Sequence, residues 1–244
     1  MSTMALAGPR GIALVTGANR GIGLELVRQL REGGYGVVAA CRTSSAELDA
    51  LREPSQASLG TVCVREGVEV TDPAALRRLG ASLEGRPLSL LVANAGVLTV
   101  ERMDDEAWDY DRMLTTIDTN AMGPLMLARE LRSALAAGSK CVLVSSLMGS
   151  LADNTSGGMY SYRMSKAAAN MAFRSMAHDL KPAGIACGIV HPGFVRTDMT
   201  APFGFPGGIS AAEAAAGVIA RIGELSLETA GRMVAGKSGK EEAW

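Results

Sequence analysis

The sequence predicts an α/β fold, in which residues 1–244 form a single domain around one doubly wound parallel sheet with helices on both faces. Three observations predict it. Short aliphatic runs alternate with helical patterns from end to end. The runs are apolar at every position instead of every second one, as strands covered on both faces are. No Pro/Ser-rich linker, composition break or internal repeat divides the chain. Alternation of this kind implies right-handed crossovers and a mostly parallel sheet, whose ligands bind beyond the carboxyl ends of the strands. At 244 residues the chain is long enough to bury a core without covalent staples.

The first strand, 12–15, runs into Thr16-Gly17-Ala18-Asn19-Arg20-Gly21-Ile22-Gly23, where the first helix, 21–31, begins. Gly17 supplies a tight turn, Gly21 lets backbone approach a pyrophosphate, and Gly23 lets the helix pack closely on the sheet. Asn19, Arg20 and Ile22 share that turn, and the helix start offers free N–H groups and a positive dipole end to phosphates. A second strand, 36–40, ends at Ala40-Cys41-Arg42, and a third is expected at 61–64, followed by a helix at 73–83. Strand 88–93 closes on Asn94-Ala95-Gly96, helix 108–137 follows, and strand 141–145 ends in Ser145-Ser146. Helix 161–180 carries Tyr162 and Lys166, whose i, i+4 spacing puts phenol and ammonium on one face. A free tyrosine has a pKa of about 10, and a neighbouring ammonium brings that value down by stabilising the phenolate. Strand 185–190, helix 211–222 and strand 232–235 complete the pattern. Two longer loops, 147–161 and 200–210, are rich in Gly, Ser, Asn or Pro, and long loops in compact domains tend to be functional.

The glycine spacing, G-x-x-x-G-x-G, departs from the G-x-G-x-x-G of most Rossmann-like dehydrogenases and resembles that of the short-chain dehydrogenase/reductase family. The resemblance covers nearly the whole chain, with motifs in the family's order, and is nearest to its C-factor-like and carbonyl reductase branch. It implies an NADP(H)-dependent enzyme that reduces an aldehyde or ketone, reversibly, to an alcohol. Tyr162 matches the family's proton donor and Lys166 the residue that assists it and holds the nicotinamide ribose. Ser146 matches the serine that binds the substrate oxygen, with Ser150 as the weaker stand-in, and Asn120 matches the helix asparagine that positions a relay water. Asn94, Ala95 and Gly96 correspond to the Asn-Ala-Gly beside the cofactor. Pro192, Gly193, Val195 and Thr197 correspond to the stretch that pins the carboxamide and diphosphate. Cys41 stands where NAD-preferring relatives carry Asp, leaving Arg42 and Arg20 to face a 2′-phosphate, for which guanidinium forks are suited. Glu69 replaces the usual Asp contacting adenine. The interval from Ser146 to Tyr162 exceeds the family's usual length, so 152–158 reshapes the substrate mouth, and Phe203 and Phe205 would supply apolar contacts in the lip. The same resemblance implies a homodimer or homotetramer joined through helices 108–137 and 161–180. Its rivals are a C-factor-like signalling or binding protein that keeps the dinucleotide pocket, and an NAD-dependent hydroxyacyl or steroid dehydrogenase.

Composition excludes other classes. With 24 Lys+Arg against 25 Asp+Glu and a net charge of −1, no cation excess is present to neutralise nucleic acid or anionic lipid. No apolar run approaches the ~20 residues a membrane span needs, and residues 1–10 lack a signal peptide's apolar core. Four widely spaced cysteines without a C-x-x-C read as reduced thiols of a cytoplasmic protein. Of two histidines, His191 reads as structural and His178 as surface, which leaves no metal site and no Ser-His-Asp triad. Residues 231–238 match the P-loop pattern letter for letter, but they lie across a candidate strand with too little chain behind them for the helix a P-loop requires.

Overall fold

The computed structural model describes residues 8–52, 60–204 and 207–244. Seven parallel strands form one sheet in the order β3-β2-β1-β4-β5-β6-β7. They are β1 (Ile12–Thr16), β2 (Gly36–Ala40), β3 (Val62–Arg65), β4 (Leu88–Ala93), β5 (Leu135–Val144), β6 (Ala186–His191) and β7 (Met233–Ala235). The strand order reverses between β1 and β4, which opens a crevice at their carboxyl ends.

Alternate strand residues feed two cores. Ala13, Val15, Val92 and Val142 pack with Leu26, Val27 and Leu30 of α1 (Gly21–Glu32), Leu48 of α2 (Ala46–Ala50) and Val218 of α7 (Ala211–Glu224). On the opposite face Leu14, Val38, Leu91 and Cys141 pack with Leu76 and Leu79 of α3 (Pro73–Ala81), Leu127 of α5 (Gly123–Glu130) and Phe173 of α6 (Tyr160–Leu180). Burial on both faces is why these strands read as continuous apolar runs.

The expected helix 108–137 is two α-helices joined by a π-helical turn, then a short 3-10 turn, Arg132–Ala134, and a strand. Helix α4 (Tyr110–Ile117) passes through a π-helical turn, Asp118–Met122, into α5, which ends at Glu130. Strand β5 then begins at Leu135, six residues before the expected start, although Ala134-Leu135-Ala136-Ala137 favours helix. Pairing overrides propensity there: Leu135 aligns with Leu88, and the register shifts between Leu88 and Leu90. Ser139 spans the irregularity, its hydroxyl donating to Leu88 O at 2.7 Å and accepting from Ala136 N at 2.9 Å. Helix α2 was not foreseen; Ser45 caps it by accepting from Leu48 N.

The P-loop-like stretch carries β7, and Gly239 N turns back to Ala235 O without starting a helix. Beyond the turn, Glu241 bridges Val234 in antiparallel fashion and Glu242 N donates to Met233 O. Among the described residues no helix is long and apolar enough to cross a membrane.

Candidate active site

The crevice between β1 and β4 widens into a cavity of about 1180 Å3. At one end lies the glycine turn. Gly17 and Gly21 have φ of +65° and +54°, the left-handed region that disfavours other residues. A Cβ at Gly23 would overlap the carbonyl oxygen of Gly17, so the start of α1 is seated directly on the turn. Helix α1 has no side-chain cap, since Arg20 holds that position without a capping bond. Its first N–H groups therefore remain suited to an anion. Asn19 ties the turn to the next crossover through Nδ2 to Thr43 O at 2.9 Å, and Ile22 lines the cavity.

Asn94 joins β4 to this turn. Its Nδ2 donates to Thr16 O at 3.0 Å and to Gly17 O at 3.3 Å, while Thr16 Oγ1 accepts from the amides of Asn94 and Ala95. A Cβ at Gly96 would come within 3.1 Å of Asn120 Oδ1 and 3.7 Å of Lys166 Nζ, so only a bare backbone fits between them comfortably.

Arg20 and Arg42 stand at the expected end of the cavity, but each faces a carboxylate. Arg42 Nη1 lies 3.6 Å from Glu69 Oε2, and Arg20 Nη1 lies 3.6 Å from Asp198 Oδ2. Glu69 lies beyond the end of β3 and turns back on the arginine instead of standing alone. Burial pushes the Cys41 thiol up, with help from Glu66 and Asp49, which keeps it protonated.

The other end holds the hydroxyls. Tyr162 is buried in the first turn of α6, and its phenol and the Ser146 hydroxyl line the same cavity. Ser145, one residue earlier, is committed elsewhere: its hydroxyl donates to Asn170 Oδ1 at 2.5 Å. Ser150 is also committed, to Ala243 O at 2.7 Å, and Tyr160 stacks on Trp108 with ring centroids 5.1 Å apart. Lys166 Nζ donates to Val144 O at 3.2 Å and sits 5.8 Å from the centre of the Tyr162 ring. Burial lowers the Lys166 pKa to about 8.

The titration of Tyr162 differs from the expectation that the ammonium lowers it. Burial is the largest influence and pushes the phenol up, and the partner that pulls it down is the Ser146 hydroxyl. Desolvation disfavours both charged forms, phenolate and ammonium.

Asn120 sits within the π-helical turn and is only 1% exposed. Its Oδ1 accepts from Val97 N at 2.8 Å, and its Nδ2 donates to Val97 O at 2.8 Å and to Ser165 Oγ at 3.0 Å. Such turns recur at functional sites because the extra residue re-aims backbone groups. Pro192, Gly193, Val195 and Thr197 line the cavity after β6. Thr200 Oγ1 braces that loop by donating to Val195 O at 2.6 Å and accepting from Thr197 N at 3.0 Å. Of the expected lip aromatics, Phe205 lies outside the described residues, and Phe203 is in a short 3-10 turn, Ala201–Phe203.

The short-chain dehydrogenase model matches residues 11–204, spanning the glycine turn, the tyrosine helix and the loop after β6. The chain belongs to the short-chain dehydrogenase family. Over 90% of its length it is 40% identical to 93% of a 1-hydroxy-2-glutathionyl-2-methyl-3-butene dehydrogenase of Rhodococcus sp. (strain AD45). Over 60% of its length it is 41% identical to 87% of the C-signal protein of Myxococcus xanthus. Among solved structures, it resembles an NADPH-bound carbonyl reductase from chicken fatty liver, with a TM-score of 0.82 and 31% identity over 95% of this chain and 98% of that one. For the carbonyl reductase Sniffer of D. melanogaster the TM-score is 0.84, with 29% identity over 96% and 99% of the two chains.

This short-chain dehydrogenase brings to the cavity further residues that no local pattern marks. Asp153, Thr155, Ser156 and Arg163 also line the cavity, and Glu101 is buried. His178 is exposed on α6. His191 is buried with both ring nitrogens unbonded, 3.7 Å from Glu242, and burial lowers its pKa. Among the described residues no group of three His, Cys, Asp or Glu side chains is gathered to hold a metal ion.

Proposed function

We propose that this chain is an NADPH-dependent reductase of aldehydes or ketones, with Tyr162 as proton donor. The observation that carries the reading is that Ser146, Tyr162 and Lys166 line the same cavity as the glycine turn, with Lys166 Nζ 5.8 Å from the centre of the Tyr162 ring. A carbonyl oxygen that accepts from both hydroxyls is polarised and oriented at once. When bound, NADPH supplies hydride to the carbonyl carbon. Tyr162 gives its proton to the developing alkoxide, and Ser146 stabilises that oxygen while charge builds. Because burial holds the phenol protonated, Tyr162 is set for the reducing direction. Lys166 offers a cation toward the tyrosine from 5.8 Å, and Asn120 fixes the neighbouring backbone at Val97. Turnover followed by NADPH absorbance over a carbonyl panel tests the reading. Cofactor binding without turnover would favour the signalling or scaffold alternative.

The residues fit the cofactor. Gly17, Gly21 and Gly23 form a cradle that side chains would fill, and Asn94, Ala95 and Gly96 continue it. Arg20 and Arg42 would take the 2′-phosphate, each exchanging its present carboxylate for phosphate oxygens. Charge-assisted hydrogen bonds are each worth about 1.5–3 kcal/mol, so Arg42→Asp should lower kcat/KM for NADPH by about 10- to 100-fold and spare NADH. Glu69→Gln, which releases Arg42 from its competitor, should raise NADPH affinity severalfold. Unchanged NADPH/NADH ratios in Arg42→Asp would favour the NAD-dependent alternative.

A second reading concerns direction. The relative from Rhodococcus is named as a dehydrogenase of a glutathionyl alcohol. A glutathione-conjugated alcohol with NADP+ therefore belongs on the panel, and its oxidation outpacing all carbonyl reduction would reverse the assignment.

The four cysteines, all free, suit the reducing cytoplasm. Pairing of two copies, or two such pairs, is inferred through α4 and α6, which expose Tyr110, Leu114, Met164 and Met171. Sedimentation velocity should give at least twice the chain mass, and Met164→Glu with Met171→Glu should halve it. A wild-type monomer at micromolar concentration would end this inference.

A further inference from the structure

Helix α6 begins without a cap of its own. Met159 precedes it in the left-handed region, with φ 52° and ψ 45°, and its side chain makes no capping bond. The acceptors come from residues far away in sequence. Glu101 Oε2 accepts from Ser161 N at 3.2 Å, Glu101 Oε1 accepts from the Ser161 hydroxyl, and Glu101 O accepts from Met159 N at 2.8 Å. Glu101 is 3% exposed, and burying a carboxylate is costly unless its lone pairs are satisfied. Here the N–H and O–H donors and the positive end of a 21-residue helix satisfy them.

The segment carrying Glu101 is itself tied down. Asn94 holds it to β1, Asn120 grips Val97 through both backbone groups, and Thr99 Oγ1 meets Thr116 Oγ1 at 2.5 Å. Glu101 is the last link of this chain, one residue from the backbone of Tyr162. We propose that Glu101 is a positioning residue: its carboxylate caps α6 in trans and thereby fixes the Tyr162 phenol against Ser146. This rests on the role given to Tyr162 above.

The test uses the full chain with Glu101→Ala, Glu101→Gln and Ser161→Ala. A misplacement of about 1 Å can cost up to ~100-fold, so Glu101→Ala should lower kcat about 10- to 100-fold while the Kd for NADPH stays within about twofold. Glu101→Gln, whose amide can accept from Ser161 N and donate to Ser161 Oγ, should restore kcat to within about threefold. Ser161→Ala should fall between them, and adding Ser161→Ala to Glu101→Ala should cost little more, as for two ends of one bond. Hydrogen exchange at the amides of 161–163 should accelerate in Glu101→Ala and not in Glu101→Gln. That readout needs no turnover, so it survives failure of the proposed activity and also serves if Glu101→Ala folds poorly, through Ser161→Ala. Wild-type kcat in Glu101→Ala, equal damage in Glu101→Gln, or unchanged exchange at 161–163 would overturn the proposal.

Discussion

Replacing Tyr162 by Phe is expected to lower kcat for carbonyl reduction by about 10²- to 10⁴-fold, the range a positioned general acid contributes. The ring of Tyr162 is buried, so the loss of one oxygen leaves its packing and the nearby Lys166 cation in place. NADPH binding should hardly change. Ser146→Ala should cost less, since it removes a hydrogen bond to the substrate oxygen but leaves the proton source. The pH dependence follows from the two burial shifts. Reduction needs protonated Tyr162, which burial favours, so its rate stays level through neutrality. Lys166 loses its charge near pH 8, and the rate should decline above that value. The alcohol-oxidising direction needs the phenolate, so it should rise with pH over the same range. Stopped-flow single turnovers across pH 6–10 separate these limbs from product release. Wild-type turnover in Tyr162→Phe would remove Tyr162 from the chemistry and, with it, the reason for assigning a reductase.

The parts of this molecule that sequence exposes are those in which neighbours along the chain do the work. The glycine turn is legible because Gly17, Gly21 and Gly23 act within one strand–turn–helix unit. Tyr162 and Lys166 are legible because a helical turn brings them to one face. The aliphatic strands are legible because burial on both faces erases their alternation. What sequence conceals depends on distant partners. The early start of β5 is set by pairing with Leu88, against the helix propensity of its alanines. The direction of the Tyr162 shift depends on how deeply α6 is buried, which spacing alone does not reveal. Arg20 and Arg42 read as free cations in sequence, and only the folded chain brings Asp198 and Glu69 to them. Glu101 carries no local mark at all, because its partner Ser161 is 60 residues further on.

Gly23→Ala is expected to damage fold and cofactor binding together, more than any other single methyl added to the glycine turn. The added Cβ would overlap Gly17 O and come within 2.8 Å of Gly17 C and 2.6 Å of Asn94 Nδ2. Gly17 O and C are backbone, fixed at the end of β1, so no side-chain rotation relieves the clash. Helix α1 must lift from the sheet, which opens the Asn94 Nδ2 bonds to Thr16 O and Gly17 O. Overpacking of this kind costs about 1–3 kcal/mol, which for a chain of this size lowers Tm by roughly 2–12 °C. The same movement withdraws the helix start from the phosphates, so NADPH affinity should fall about 10- to 100-fold, the equivalent of about 1.4–2.8 kcal/mol. Gly21→Ala makes a useful contrast. Its Cβ would lie 3.5 Å from Thr197 Cγ2 and 3.8 Å from Thr197 Cβ, ordinary contacts, so its cost is that of a left-handed φ, about 1–2 kcal/mol. Gly85→Ala, in an exposed turn with nothing within 4 Å, should bear a similar conformational cost and leave NADPH binding untouched. Thermal melts and NADPH titrations of the three variants separate steric exclusion at the cradle from glycine's general conformational freedom. Gly23→Ala binding NADPH as tightly as Gly85→Ala would mean that α1 does not need its seat on Gly17 to hold the dinucleotide.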